Sequence, residues 1–60
     1  MKTKSILVVD DHTVVRKGIR QIIEDEDYVR QISEAGSAKE TLDLLKEFKF
    51  DLIILDISLP

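Results

Sequence analysis

The sequence predicts an open, doubly wound α/β sheet built as β-α-β-α-β, and three observations carry that expectation. Two short apolar runs, Ile6-Leu7-Val8-Val9 and Leu52-Ile53-Ile54-Leu55, are bounded by polar residues and each passes directly into aspartate. Four-residue runs of β-branched residues and leucine read as strands buried on both faces of a parallel sheet. Between them lie two stretches with apolar residues at helical spacing, separated by a more polar stretch with strand character.

The first strand is expected over about Lys4 to Asp10. The helix after it places Val15, Gly18, Ile19, Ile22 and Ile23 at i, i+3, i+4, i+7 and i+8, one buried stripe, and leaves Arg16, Lys17, Arg20 and Gln21 on the outer face. Thr13, or Asp11 ahead of it, can cap the first turn. Gly18 costs about 1 kcal/mol of helix propensity and is expected to let the helix approach the sheet closely. Glu24-Asp25-Glu26-Asp27 is a solvated turn. The second strand, Tyr28 to Ala35, carries Arg30, Gln31, Ser33 and Glu34 and so belongs at a sheet edge. Ser37-Ala38-Lys39-Glu40 reads as a capping box, and Ala38, Thr41, Leu42, Leu45 and Phe48 mark a second buried stripe. Phe48 and Phe50 are expected in the core, and Tyr28 in ordinary packing at the start of the edge strand.

Right-handed crossovers leave few arrangements for these elements. With the polar strand outside, the order is 2-1-3, the two helices cover opposite faces, and the carboxyl ends of strands one and three form a topological switch point. Asp10, Asp11 and Asp56 are therefore expected to converge. Two carboxylates about 4 Å apart repel by about 1 kcal/mol in water and about 4 kcal/mol at the effective dielectric of a protein surface. At least one of the three should then titrate high unless a cation lies among them. Mg²⁺ suits such a corner, because it takes oxygen ligands and one or two carboxylates while retaining waters. A carboxylate beside it can attack phosphorus and form an aspartyl phosphate.

Composition narrows the alternatives. Sixty residues with a formal charge of −3 offer no basic stripe for nucleic acid. No apolar run approaches the length of a membrane span, and Met1 to Lys4 leads into too short a run for a signal peptide. The chain has no cysteine, which fits a cytoplasmic location. A phosphatase with an aspartyl nucleophile after strand one would need Asp-x-Asp, but position 12 is His12. A dinucleotide site would need Gly-x-Gly-x-x-Gly there, which is also absent. His12 itself could ligate a metal or carry phosphate; the start of a helix and the oxygen preference of Mg²⁺ favour a surface role.

The stretches VVDDHTVVRKGI, SEAGSAKETLDLL and DLIILDISLP together resemble the amino-terminal half of a response-regulator receiver domain. The resemblance runs from Ser5 to Pro60 and implies a flavodoxin-like fold of which residues 1–60 supply three of five βα units. It implies a phosphoacceptor role for Asp56, with a sensor histidine kinase or phosphotransfer protein as donor and no enzymatic turnover of its own. Asp11 and Asp56 would bind Mg²⁺ directly, Asp10 mostly through water, and the main-chain carbonyl of Ser58 would add a ligand. Asp-Asp-His with Arg16 and Gly18 is similar to the subgroup whose receivers precede a helix-turn-helix output domain, which would make the parent protein a DNA-binding transcription regulator. In that family the first helix meets the kinase, giving Arg16, Lys17 and Arg20 a candidate contact role. The family's hydroxyl residue after strand four and lysine after strand five have no counterpart in these residues, so weak phosphotransfer is expected. The alternative is an association module with vestigial chemistry. Strand three, apolar on both faces, could pair with its copy in a homodimer.

Overall fold

The computed structural model describes residues 2–56. It has β1 (Lys4–Val9), α1 (Thr13–Ile23), β2 (Val29–Ala35), α2 (Ala38–Glu47) and β3 (Leu52–Leu55). The sheet is parallel in the order β2-β1-β3, as the pattern and crossover rule require. β1 is the central strand and the only one buried along nearly its whole length, in the pattern expected of an apolar run with sheet on both sides. A register shift between Lys4 and Ser5 leaves Arg30 out of the β1–β2 pairing. Its guanidinium turns back to donate to Ser5 Oγ at 3.0 Å. Asp51 fastens the start of β3: its Oδ2 accepts from Ser5 N–H and its own N–H donates to the Ser5 carbonyl, both at 2.8 Å.

The core has two halves, one on each face. Ile6, Val8 and Val29 pack with Ile19, Ile23, Ile32 and Ile54 on the α1 side. Leu7, Val9 and Ala35 pack with Leu44 and Phe50 on the α2 side. Alternation along β1 sends successive residues to opposite faces, so the two crossovers lie on opposite sides as expected.

Both helices are rotated from the stripes expected of them. In α1, Ile19 and Ile23 face the core, but Val15 is 44% and Ile22 73% exposed. Arg16 and Arg20, assigned to the outer face, instead reach across to Glu34 on β2. In α2 the inward residue is Leu44, whereas Leu42, Leu45 and Phe48 are 59%, 42% and 49% exposed. Of the two phenylalanines, only Phe50 reaches the core. α1 packs over β1 and β2 and α2 mainly over β2, and neither helix packs comparably against β3. β3 is accordingly exposed along most of its length, although its sequence reads as a buried strand. Gly18 does not mediate a close approach, since a Cβ there would meet nothing within 4 Å. No helix among the described residues is long and apolar enough to cross a membrane.

Candidate functional site

The carboxyl ends of β1 and β3 meet at the switch point. The Asp10 N–H donates to the Ala35 carbonyl at 3.1 Å, and the Asp56 N–H donates to the Val9 carbonyl at 3.0 Å. The sheet ladder therefore continues one residue past both strands and fixes the two aspartates side by side. Asp10, Asp11 and Asp56 all line one cavity of about 460 Å³ between this edge and the first half of α2. Val9, Leu42 and Leu55 form part of its apolar wall, and Ser37 and Thr41 add hydroxyls.

Asp10 is the buried member of the trio, at 1% exposure, and it starts α1. Its Oδ1 accepts from the His12 N–H at 2.7 Å. That replaces the cap expected from Thr13 or Asp11: His12 occupies the N-cap position and makes no side-chain cap bond. The Asp10 carboxylate thus bonds the amide of the residue that precedes the first helical turn. Asp10 Oδ2 is buried with no hydrogen-bond partner. The Asp10 carboxyl is held below its usual range, first by the His12 amide and against the cost of burial. Asp56 shifts the other way, raised first by its contact with the Asp10 carboxyl and then by that charge, burial and Asp11. One raised carboxyl is the outcome expected of crowded carboxylates without a cation.

His12 is half-exposed, yet its ring folds back onto the site, with Nδ1 2.8 Å from Asp11 Oδ1 and 3.4 Å from Asp10 Oδ1. Donor atoms of Asp10, Asp11 and His12 all lie within 4.8 Å of one another. Asp56 stands outside that tight trio and meets it through Asp10. Ser58 lies outside the described residues.

Sequence reasoning missed the support behind the corner. Glu34, at the end of the polar edge strand, accepts from Arg16 Nε at 3.0 Å, Lys17 Nζ at 3.0 Å and Arg20 Nη1 at 2.7 Å. These bonds, led by that of Arg20, pull the Glu34 carboxyl down to about 2. Arg16 also donates through Nη1 to the Asp10 carbonyl at 2.7 Å. The basic cluster read as a solvated face is therefore tied to the sheet by one shared carboxylate, which offsets one of its three charges. A sequence signal was present: Arg16 and Arg20 are one helical turn apart beside the inward Ile19 and Ile23, opposite one carboxylate on the neighbouring strand. Gly36 is tied to the same network, since a Cβ there would lie 3.0 Å from Arg16 Nη1. The expected capping box forms at Ser37, whose Oγ accepts from the Glu40 N–H at 3.1 Å, but Glu40 reaches back to the Gly36 N–H at 3.3 Å.

Open parallel α/β sheets bind ligands in the crevice at the carboxyl ends of their strands, and here that crevice is lined by Asp10, Asp11 and Asp56. Residues 6–60 match the family model of the response regulator receiver domain. The chain is 40% identical over 55 residues to an uncharacterized transcriptional regulatory protein, YhcZ, of Bacillus subtilis, covering 92% of this chain and 26% of that protein. It is 38% identical over 55 residues to response regulator GacA of Pseudomonas viridiflava, with the same coverage of 92% and 26%. It is also 35% identical to a protein-glutamate methylesterase/protein-glutamine glutaminase of Syntrophomonas wolfei, over 100% of this chain and 17% of that one. The chain thus spans about a quarter or less of the length of these relatives. No solved structure matches it. The chain belongs to the response-regulator receiver family.

Proposed function

We propose that the chain carries the phosphoacceptor corner of a two-component signalling receiver, with Asp56 as the acceptor and a histidine kinase or phosphotransfer protein as the donor. The observation that supports this most is the raised Asp56 carboxyl beside Asp10 at the switch point, where Asp10 is buried and its Oδ2 has no hydrogen-bond partner. An orphaned buried carboxylate oxygen is costly, and a hard divalent cation is the group that relieves it. Asp10, Asp11 and Asp56 would hold Mg²⁺, with the Ser58 carbonyl as a further ligand by family resemblance. When bound, the ion supplies charge neutralisation for a phosphoryl group.

The residues of the chain do the rest. Asp56 presents its oxygen at the open mouth of the cavity, where a donor can reach it. The O–P bond forms there as the donor's N–P bond breaks, and the electron pair returns to the donor imidazole. Asp10 anchors the start of α1 and keeps negative charge beside Asp56. Arg16 holds the Asp10 main chain in place. The role is that of an acceptor, not of a turnover catalyst. In the whole protein, which the relatives suggest is several times longer, the output is transcriptional regulation.

Incubating the protein with acetyl phosphate and Mg²⁺ and weighing it intact tests the assignment. Wild type should gain at most a small fraction of one phosphoryl group, far less than a complete receiver, and Asp56→Asn should gain none. Labelling that persists in Asp56→Asn would remove Asp56 from this role.

A second reading, association through β3, is favoured by one observation: Leu52, Ile53 and Leu55 are 47%, 43% and 56% exposed on a strand that pairs only with β1 among the described residues. Antiparallel pairing of two β3 edges about a two-fold axis would extend the sheet to about six strands. Sedimentation equilibrium should then show a concentration-dependent dimer that Ile53→Lys abolishes. Ile53 is the better probe than Ile54, which packs into the core on the α1 side.

A further inference from the structure

We propose that a second cavity, of about 260 Å³ at the amino ends of β1 and β2, binds a small aromatic monocarboxylate. It lies at the opposite end of the strands from the acidic corner, and it depends neither on a metal nor on phosphoryl transfer. Ser5, Arg30 and Gln31 line it from the sheet; Phe48, Lys49 and Phe50 line it from the turn between α2 and β3. A bulge in β2 builds the floor. Val29 and Ile32, three residues apart, both pack on the α1 side, which regular alternation does not allow. The register shift opposite Lys4 and Ser5 takes up the extra residue, and Arg30 and Gln31 are both left to the other face. Re-aiming a side chain is what a bulge does. Here it brings the Arg30 guanidinium to Oγ of the buried Ser5, to which it donates at 3.0 Å.

Charge selects the ligand. Arg16, Lys17, Arg20 and Lys39 each reach a carboxylate, but among the described residues Arg30 and Lys49 reach none. Asp51, next to Phe50, is already bound to the Ser5 N–H. Glu47 is the one acid on the cavity wall, so two cations and one carboxylate leave a single positive charge there. A monoanion balances it, whereas a phosphate dianion would set surplus negative charge against Glu47. A guanidinium meets a carboxylate through a planar fork. The Ser5 hydroxyl, which accepts from Arg30, still has a proton to give. The wall supplies the preference for a ring: Phe50 is anchored in the α2-side core, and Phe48 is half-exposed. A ring laid on Phe48 covers apolar surface that otherwise faces water. The volume is small for a ligand cavity and suits one ring with its carboxylate.

Benzoate is the probe, titrated into the whole chain at constant ionic strength while amide NMR shifts are followed. Benzamide keeps the ring without the charge, acetate keeps the charge without the ring, and inorganic phosphate adds charge. Benzoate should shift the amides of Ser5, Arg30, Gln31 and Phe48 to Phe50 together, with a dissociation constant of about 1 mM. The three comparison ligands should each bind at least ~5-fold more weakly. Arg30→Gln and Lys49→Gln should each weaken benzoate ~5-fold or more, and Phe48→Ala about threefold. All three side chains are exposed, so the variants should keep the fold, as circular dichroism would verify. Should Arg30→Gln disturb the β1–β2 pairing, Lys49→Gln still decides. Lys39→Gln, outside the cavity, should stay within about twofold of wild type. Benzamide or phosphate binding as tightly as benzoate would overturn the proposal. So would benzoate shifts scattered over the surface, a loss in Lys39→Gln equal to that in Lys49→Gln, or no benzoate response at about 50 mM.

Discussion

Replacing Leu7 with alanine is expected to bring the chain to the edge of unfolding. Leu7 is fully buried in the central strand and packs with Val9, Ala35, Leu44 and Phe50. Truncating such a leucine costs about 3 kcal/mol, part lost transfer energy and part cavity. A 60-residue chain has a total stability of only about 3 to 9 kcal/mol at the usual per-residue rate, and the low end is expected where one strand is largely exposed. Urea unfolding followed by circular dichroism should show a midpoint displaced toward zero denaturant, with no folded baseline at the low end of that range. Leu42→Ala, at a site 59% exposed, should cost under about 1 kcal/mol. Equal losses at the two sites would mean that the core is not where the structure puts it.

The second large effect belongs to Glu34. Its carboxyl is held at about 2 instead of 4.5, principally by Arg20 and then by Lys17 and Arg16. A carboxyl with a lowered folded-state pKa binds its proton first in the unfolded chain. Its contribution is therefore complete above about 4.5 and is lost as pH falls toward about 2. The side chain is 12% exposed, but Lys17 is 61% and Arg20 42% exposed, so solvent screens part of the attraction. About 2 kcal/mol is a fair size for the loss. Glu34→Gln should show that loss at neutral pH and a flatter stability profile between pH 4.5 and 2, measured by urea midpoints. An unchanged acid slope would place the network's energy elsewhere.

Much of this fold could be read from residue order alone, and the reasons are local. Ile6 to Val9 and Leu52 to Leu55 could only be strands of a parallel sheet, and the polar residues of Tyr28 to Ala35 sent that strand to an edge. Chirality then placed Asp10 beside Asp56, and repulsion correctly anticipated a raised carboxyl there. Helix phase was not legible. Apolar periodicity put Val15 and Ile22 inward and Arg16 outward, because it weighs hydrophobicity and has no knowledge of the partner strand. Glu34 changes the balance: a partly buried carboxylate on β2 draws Arg16, Lys17 and Arg20 toward it, and α1 settles on Ile19 and Ile23. The same limit hid the direction of the His12 ring, although its exposed position was read correctly. Its position at the helix start suggested exposure, while the direction of its ring depended on where Asp10 and Asp11 lay in space.

The bond from Arg16 to the Asp10 carbonyl has a consequence for how the molecule opens. It joins the acidic turn, the first turn of α1 and the end of β2 through one guanidinium. These segments should therefore form a single cooperative unit in hydrogen exchange, with the amides of Asp10, His12 and Arg16 sharing one opening free energy. A fluctuation that frays α1 does not leave the aspartates behind as a rigid shelf; it dissolves their geometry at the same moment. Order at the acidic corner is thus measured by the protection of a helix that lies on the other face of the sheet from α2 and the cavity.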